Sequence, residues 1–423
     1  MLRVLHCFHQ FGAKLIGGVE QSARTLLEEL EKRNCRNRVF SAKSDRSLPQ
    51  YSITTERWGE IECTYVNNVV ARASSFELLY RDLSIEAAFD KLLCEFDPHI
   101  VHFHHLSRLS TGLPGVAAKR SIPSVMKLAD FKLQCHYANR VQPNTNELCE
   151  EIDHGKCADC LETVMNRFMS NENKLLTPQD RQKIVKFRED HIKAQLDFVD
   201  VFLSPSRFLR DDFVSWGLPK SKVRYLDNGF NIPSSPVLKS PSSTVRFAFL
   251  GRLTPIKGVH LIPEALTQLP GLQLRCTLYG PHEGPISYRE GLVSACNADS
   301  RLHLHGPVAP SEISRLFSEI DILILPSIWY ENSPLSIHEA YVAKTPVIAA
   351  DHGGMREYVA DGHTGLLFSP GDAKSLASAM KRVVKDANLR KTMESATGAQ
   401  LVSSKGLFAQ KLTDVYYSLA TKS

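Results

Sequence analysis

The sequence predicts two doubly wound α/β domains, each a parallel sheet covered by helices on both faces. Three observations carry this. Short β-branched runs alternate with helix-length amphipathic segments through both halves of the chain. The strand candidates are apolar almost throughout, as strands buried on both faces are. Between the halves, residues 231–244 hold three prolines and five serines without periodicity, the composition of a linker.

In order along the chain, 3–8, 38–41, 100–104, 124–128 and 199–203 read as buried strands of the first domain, and 19–32 and 76–95 as its helices. In the second domain 245–250, 274–279, 322–325 and 347–350 read as strands. Helices are expected between and after them at 260–269, 312–320, 334–343 and 373–384. The resulting division is a first domain over 1–230, the linker 231–244 and a second domain over 245–404. One stretch departs from the pattern: 131–178 shows little alternation, many turn residues and four of the ten cysteines, and reads as an inserted functional or separately stabilised loop.

A chain of 423 residues is too long for one ordinary core and fits two domains. Hydrophobic content of 43% and charged content of 23% are those of a globular chain, which excludes wholesale disorder. The net charge of +5 is small and spread over both halves, so nucleic acid is not expected as a partner. No run supplies a membrane span. The first residues, Met1 to Cys7, lack the apolar stretch of a signal peptide and read as a strand that starts at once. A cytoplasmic location is therefore expected, with reduced or metal-bound cysteines.

Ligands of open α/β sheets sit beyond the carboxyl ends of strands, and three segments there carry chemistry. After the first strand, Gly17-Gly18-Val19-Glu20 opens a helix; its glycines suit either a tight turn or close approach of a phosphate to free N–H groups. After strand 245–250, Gly251-Arg252-Leu253 and Lys257-Gly258 place a guanidinium and an ammonium beside the next helix. They are either solvated surface cations or a pyrophosphate clamp. After strand 322–325 comes Glu331-Asn332-Ser333-Pro334-Leu335, with Ser333 and Pro334 expected at N-cap and N1 of a helix. Glu339 then lies nearly two turns inside, either as a solvated helix residue or as an acceptor for a vicinal diol. A glycosidase pair is judged by a carboxylate separation that sequence does not give. Cys135, Cys149, Cys157 and Cys160 follow C-x13-C-x7-C-x2-C, which suits either scattered thiols or a closed structural zinc site.

The seven-residue spacing between Glu331 and Glu339 resembles the E-x7-E motif of retaining glycosyltransferases of family four, the group 1 enzymes of GT-B fold. Gly251-Arg252-Leu253 with Lys257-Gly258, Asp321 to Ser327, Thr345 to Ala350 with Gly353-Gly354 and Glu357, and Asp361 to Phe368 resemble neighbouring elements of that family. Gly17 to Glu20 and Asp97 to His105 do so more loosely in the first domain. The resemblance implies GT-B architecture, two Rossmann-like domains facing a cleft. It also implies that the C-terminal helix, 405–423, packs back on the first domain.

The implied reaction is transfer of a sugar from a nucleotide-sugar donor, UDP- or GDP-linked, to an acceptor hydroxyl with retention. Arg252 and Lys257 would hold the diphosphate, Glu331 the donor sugar and Glu339 the ribose. Gly17, Gly18, Gly251 and the backbone from Asn332 through Ser333 and Pro334 to Leu335 would complete the cradle. No D-x-D metal motif is present, so no catalytic metal is expected. The acceptor would be a glycan or lipid-linked glycan, with peripheral contact at the inner face of the membrane. Where the family shows His-Asp, this chain has Ala129-Asp130. Asp130 stays a candidate for sugar or acceptor contact, and His104, His105 and His136 are candidates for the missing imidazole. Ala129 also keeps open an inactive relative that binds a nucleotide or glycan. A nucleotide-sugar epimerase or a phosphorylase would share the architecture.

Overall fold

The computed structural model describes residues 1–12, 18–168, 176–233 and 237–421. The chain divides into two compact units, Met1–Gly229 with Lys405–Ser423, and Phe230–Ser404.

The first unit runs β1 (Leu2–Phe8), α1 (Gly18–Glu31), β2 (Cys35–Lys43), β3 (Ile53–Trp58), β4 (Ile61–Asn67), α2 (Leu83–Phe96) and β5 (Ile100–Phe103). It continues with α3 (Leu113–Lys119), β6 (Ser124–Lys127), α4 (His154–Phe168), α5 (Pro178–Leu196), β7 (Val201–Ser204), α6 (Arg207–Trp216) and β8 (Val223–Tyr225). Its eight strands lie in the order β3-β4-β2-β1-β5-β6-β7-β8. β3 and β4 pair antiparallel and the other neighbours pair parallel.

The second unit runs β9 (Val245–Leu250), α7 (Leu261–Thr267), β10 (Leu274–Tyr279), α8 (Ile286–Ala298), β11 (Leu302–Gly306), α9 (Ile313–Ser318) and β12 (Ile322–Leu325). Then follow α10 (Leu335–Val342), β13 (Val347–Ala350), α11 (Met355–Tyr358), β14 (Gly365–Phe368), α12 (Ala373–Lys385) and α13 (Ala387–Ala396). The six strands are parallel in the order β11-β10-β9-β12-β13-β14. The last helix, α14 (Lys405–Ala420), belongs to the first unit. There Ala409, Leu412, Tyr416 and Leu419 bury against Val4, Leu26 and Ile100.

Each sheet reverses its strand order once, beside β1 and β5 in the first unit and beside β9 and β12 in the second. Those switch points are where an open sheet leaves a crevice for a ligand.

Several local expectations need correction. The helix expected over 76–95 starts at Leu83, because Asp82 caps it by accepting from the N–H groups of Ser84 and Ile85. Before it lies only a 3-10 turn, Glu77–Leu79. The stretch 131–178 is not all loop: α4 occupies fifteen residues of it, and Leu161, Val164 and Met165 pack with Phe76, Tyr80 and Val185. Within the expected linker, Lys239 donates to the carbonyls of Phe317 (2.9 Å) and Ile320 (2.6 Å), and Ser240 N–H to Ser318 O (2.8 Å). That part of the segment is therefore fastened to the second unit. At its start, Phe230 N–H bonds Ser403 O at 2.9 Å, so the outgoing and returning chain run side by side.

Candidate functional site

The second unit's crevice is built by loops that hold one another. Ile328 N–H bonds Ile256 O at 2.9 Å, tying the loop after β12 to the one-turn 3-10 helix Pro255–Lys257. Gly258 ends that turn at φ 64°, and a Cβ there would sit 1.9 Å from Pro326 O, so only glycine allows the approach. The result places Lys257 Nζ 2.5 Å from Glu331 Oε1. Ser327 Oγ and Trp329 Nε1 donate to the same oxygen, each at 2.7 Å. Among the described residues no donor reaches Oε2. Burial by itself would raise the Glu331 carboxyl, but Lys257, Ser327 and Trp329 outweigh it and hold the group below its ordinary value. Lys257 also lies over the Trp329 ring, 5.1 Å from its centroid.

Arg252 stands at the carboxyl end of β9. Leu253 N–H bonds Pro281 O at 2.9 Å, which brings the loops after β9 and β10 together and sets Arg252 Nη1 3.2 Å from Glu283 Oε2. Both side chains are about half exposed, 53% and 48%. Gly251 packs its carbonyl so close to Gly280 that a Cβ on Gly280 would lie 1.8 Å from it.

The helix after Glu331 begins one residue later than expected. Pro334, extended at ψ 121°, is the N-cap of α10 and makes no side-chain cap, and Leu335 is its first helical residue. Ser333 is not the cap because its Oγ is engaged elsewhere, 3.2 Å from His338 Nε2 and accepting from Tyr358 OH at 3.1 Å. Gly354 N–H donates to Glu331 O at 2.6 Å, and a Cβ on Gly354 would lie 1.9 Å from Asn332 O. Glu331 and Asn332 are thereby clamped from behind. Glu339 lies just over one turn into α10, partly buried, and burial pushes its carboxyl up to about 7.

In the first unit Gly18 is the first residue of α1, while Gly17 lies outside the described residues. A small pocket opens at the carboxyl ends of β5 and β6, with Ala129, Asp130 and His105 on its wall. Ser107 N–H donates to His105 Nδ1 at 3.1 Å, which fixes the proton of the neutral ring on Nε2, facing Asp130 Oδ2 at 3.1 Å. Burial would raise Asp130, yet His105 and the N–H of Lys132 hold it below its usual range. Of the three candidate histidines, His105 is the one bonded to Asp130. His104 instead turns into the interior, where His6 Nδ1 lies 3.0 Å from its Nε2 and His102 Nδ1 meets Tyr416 OH at 2.5 Å. The ligand nitrogens of His6, His102 and His104 lie within 4.8 Å of one another. Burial drives His6 down to about 4 and the other two well below their ordinary value, so this network is uncharged and joins α14 to the sheet. His136 is buried against Phe76.

Cys135, Cys149, Cys157 and Cys160 are free and partly buried. Burial pushes Cys157 and Cys160 up to about 12 as thiols, and no three of the four sulfurs lie within 4.8 Å of one another, farther apart than a closed zinc site holds them. Sequence reasoning missed Ser327 and Trp329, whose hydrogen-bonding groups need the fold to bring them onto one oxygen.

Two family models match the chain. Glycosyl transferases group 1 matches residues 233–399 and Glycosyltransferase Family 4 matches residues 16–127. The chain belongs to the group 1 glycosyltransferases. Among curated members, D-inositol 3-phosphate glycosyltransferase of Corynebacterium efficiens is 33% identical over 150 residues, which is 34% of this chain and 35% of that protein. The enzyme of the same name from Stackebrandtia nassauensis is 30% identical over 256 residues, 56% of each chain. The chain thus spans between a third and somewhat over half of these relatives' length.

Solved structures of the same fold cover it throughout. Sucrose-phosphate synthase from Thermosynechococcus elongatus superposes with a TM-score of 0.69 at 19% identity, covering 100% of both chains. Anabaena HepE in complex with UDP gives 0.67 at 18%, covering 99% of this chain and 100% of that one. The fold of this group 1 glycosyltransferase is GT-B.

Proposed function

We propose that the chain transfers a sugar, with retention of anomeric configuration, from a nucleoside diphosphate sugar to an acceptor hydroxyl. The observation that carries this reading is the convergence of Lys257, Ser327 and Trp329 on Oε1 of Glu331. Three donors fix that carboxylate and leave Oε2 to receive a donor-sugar hydroxyl. Arg252 and Lys257 face the diphosphate, Glu339 accepts from the ribose, and the first N–H groups of α10 complete the cradle. Departure of the nucleoside diphosphate builds negative charge where these cations and dipoles already point. Two cations and a helix terminus can do that without a metal ion. Asp130 and His105 contact the transferred sugar or the incoming hydroxyl, His105 taking the place left by Ala129.

HepE has been crystallised with UDP and with UDP-glucose, which favours a UDP-linked donor here. The role follows as synthesis of a cell-surface polysaccharide or other glycan at the cytoplasmic side, the acceptor being a glycan or lipid-linked glycan. No helix among the described residues is long and apolar enough to cross a membrane, so contact with the inner membrane face would be peripheral. The four cysteines, drawn closer together than they stand in this structure, would hold a structural zinc ion that fastens the segment before α4.

A thermal-shift panel of nucleoside diphosphates and nucleotide-sugars in the presence of a chelator tests the donor site. UDP or GDP, and one matching nucleotide-sugar, should raise the melting temperature. NMR of the product anomer then reads the stereochemistry. Failure of every nucleotide to bind, or an inverted product, overturns the reading.

A further inference from the structure

We infer that His338 and Tyr358 are positioning residues for the donor diphosphate: they hold the Ser333 hydroxyl off the start of α10, so that its first N–H groups stay open to an anion. This rests on the transferase reading above and names the side chains on which its phosphate cradle depends. Ser333-Pro334-Leu335-Ser336 is by type a strong helix start, with serine suited to N-cap and proline to N1. Pro334 already has a helical φ of −68°, and only its ψ of 121° keeps it out of α10. A freed Ser333 Oγ would accept from the N–H of Leu335 or Ser336, as a serine N-cap does. In the structure both of those N–H groups lack an acceptor among the described residues.

The hydroxyl is instead engaged by two donors. Tyr358 OH donates to Ser333 Oγ at 3.1 Å, and His338 Nε2 lies 3.2 Å from the same oxygen. His338 is fully buried. Its ring stacks on Phe230 with 3.9 Å between centroids and meets the Tyr358 ring edge-on at 4.6 Å, so its plane is set. Burial holds the imidazole down to about 3, so it is neutral and carries one ring proton. Nδ1 is buried with no partner among the described residues. A buried N–H without an acceptor is rarer than an acceptor without a donor, which puts the proton on Nε2, facing Ser333. A hydroxyl oxygen has two acceptor lone pairs, and Tyr358 and His338 use both. Ser333 is then unable to accept from the helix, and the first turn keeps its N–H groups for a phosphate.

The test is made on the full chain, by calorimetry with UDP and by amide hydrogen exchange of the helix start without nucleotide. His338→Leu and Tyr358→Phe each remove one donor and free a lone pair on Ser333. In each variant the amide of Leu335 or Ser336 should gain about fivefold protection and UDP should bind about fivefold more weakly, the worth of one serine cap. Adding Ser333→Ala removes the competing oxygen and keeps the backbone, so both effects should reverse in the double variants. His338→Gln, which can present an N–H to Ser333, should retain most of the UDP affinity. A side chain that merely supports the fold would give no such reversal. Should His338→Leu fail to fold, Tyr358→Phe, which loses only a hydroxyl, carries the test. Unchanged exchange and UDP affinity in Tyr358→Phe overturn the inference, and so does a loss that Ser333→Ala leaves in place. UDP binding that is equal in the unmodified chain and every variant strikes this inference alone. An unmodified chain that binds no UDP strikes the donor reading and this inference with it.

Discussion

Lys257 and Glu331 stand 74 residues apart in the chain, yet the ammonium of one lies 2.5 Å from a carboxylate oxygen of the other. The side chains are only 18% and 7% exposed. The pair exists because the turn that ends at Gly258 and the loop after β12 are hydrogen-bonded through Ile256 and Ile328. It fixes one oxygen of Glu331 and holds Lys257 over the Trp329 ring.

Glu331→Gln keeps the shape of the side chain and removes its charge. The Lys257 ammonium is then buried without its counter-ion, which costs about 3 kcal/mol. Transfer should fall roughly 100-fold or more, because positioned charge at the reacting centre is lost. Pairing it with Lys257→Met should restore much of the stability measured by urea unfolding and none of the transfer. Activity close to the unmodified chain in Glu331→Gln would remove the residue from the mechanism.

The Arg252–Glu283 pair should behave in the opposite way. Both groups are about half exposed, so Glu283→Gln should change unfolding free energy by no more than about 0.5 kcal/mol. Arg252→Ala should cost the diphosphate contact and weaken UDP binding about tenfold by calorimetry. Equal UDP affinity in Arg252→Ala would place the phosphate elsewhere.

Gly354 tests the clamp behind the site. Its N–H holds Glu331 O, and a Cβ would meet Asn332 O at 1.9 Å. Gly354→Ala must push the loop carrying Glu331 forward, costing about 2 kcal/mol and reducing transfer. Gly371→Ala is the control. Its φ of 73° strains an alanine, but no atom lies within 4 Å, so it should cost about 1 kcal/mol and leave transfer intact. Equal loss of activity in both variants would point to general destabilisation.

The cysteine segment yields to elemental analysis of chelator-washed chain. Stoichiometric zinc is expected, and Cys157→Ser should release it and lower the melting temperature while nucleotide binding persists. Four thiols that react freely with a thiol reagent in the native chain, with no metal found, would dispose of the zinc proposal.

Much of the fold was legible because buried parallel strands announce themselves as apolar runs. Val245–Leu250, Leu274–Tyr279, Ile322–Leu325 and Val347–Ala350 have the limits that the sequence suggests. The edge hairpin Ile53–Trp58 with Ile61–Asn67 was not legible, since its first strand is largely exposed and polar and shows neither period clearly. The start of α10 was misjudged because Ser333, a good cap by type, is drawn off by His338 and Tyr358. Glu331 could be singled out by its spacing. Ser327 and Trp329 could not, because their role depends on a loop path.

Glu339 should give donor binding a pH dependence of known sign. Burial raises its carboxyl from the ordinary 4.5 to about 7. The folded chain therefore holds this proton up to about 7, while the unfolded chain releases it near 4.5. The linked contribution to stability is fully present below 4.5 and declines as pH rises through 7. A ribose diol donates to the ionised carboxylate, so UDP affinity should move the other way, rising as pH passes through 7. Glu339→Gln should flatten both responses between pH 5.5 and 8.5, a window of roughly 1.5 units on either side of about 7. Calorimetry gives the affinity profile and urea unfolding the stability profile. An unmodified chain whose UDP affinity is level across that range, or a Glu339→Gln chain that keeps the slope, would show that Glu339 does not titrate at the ribose.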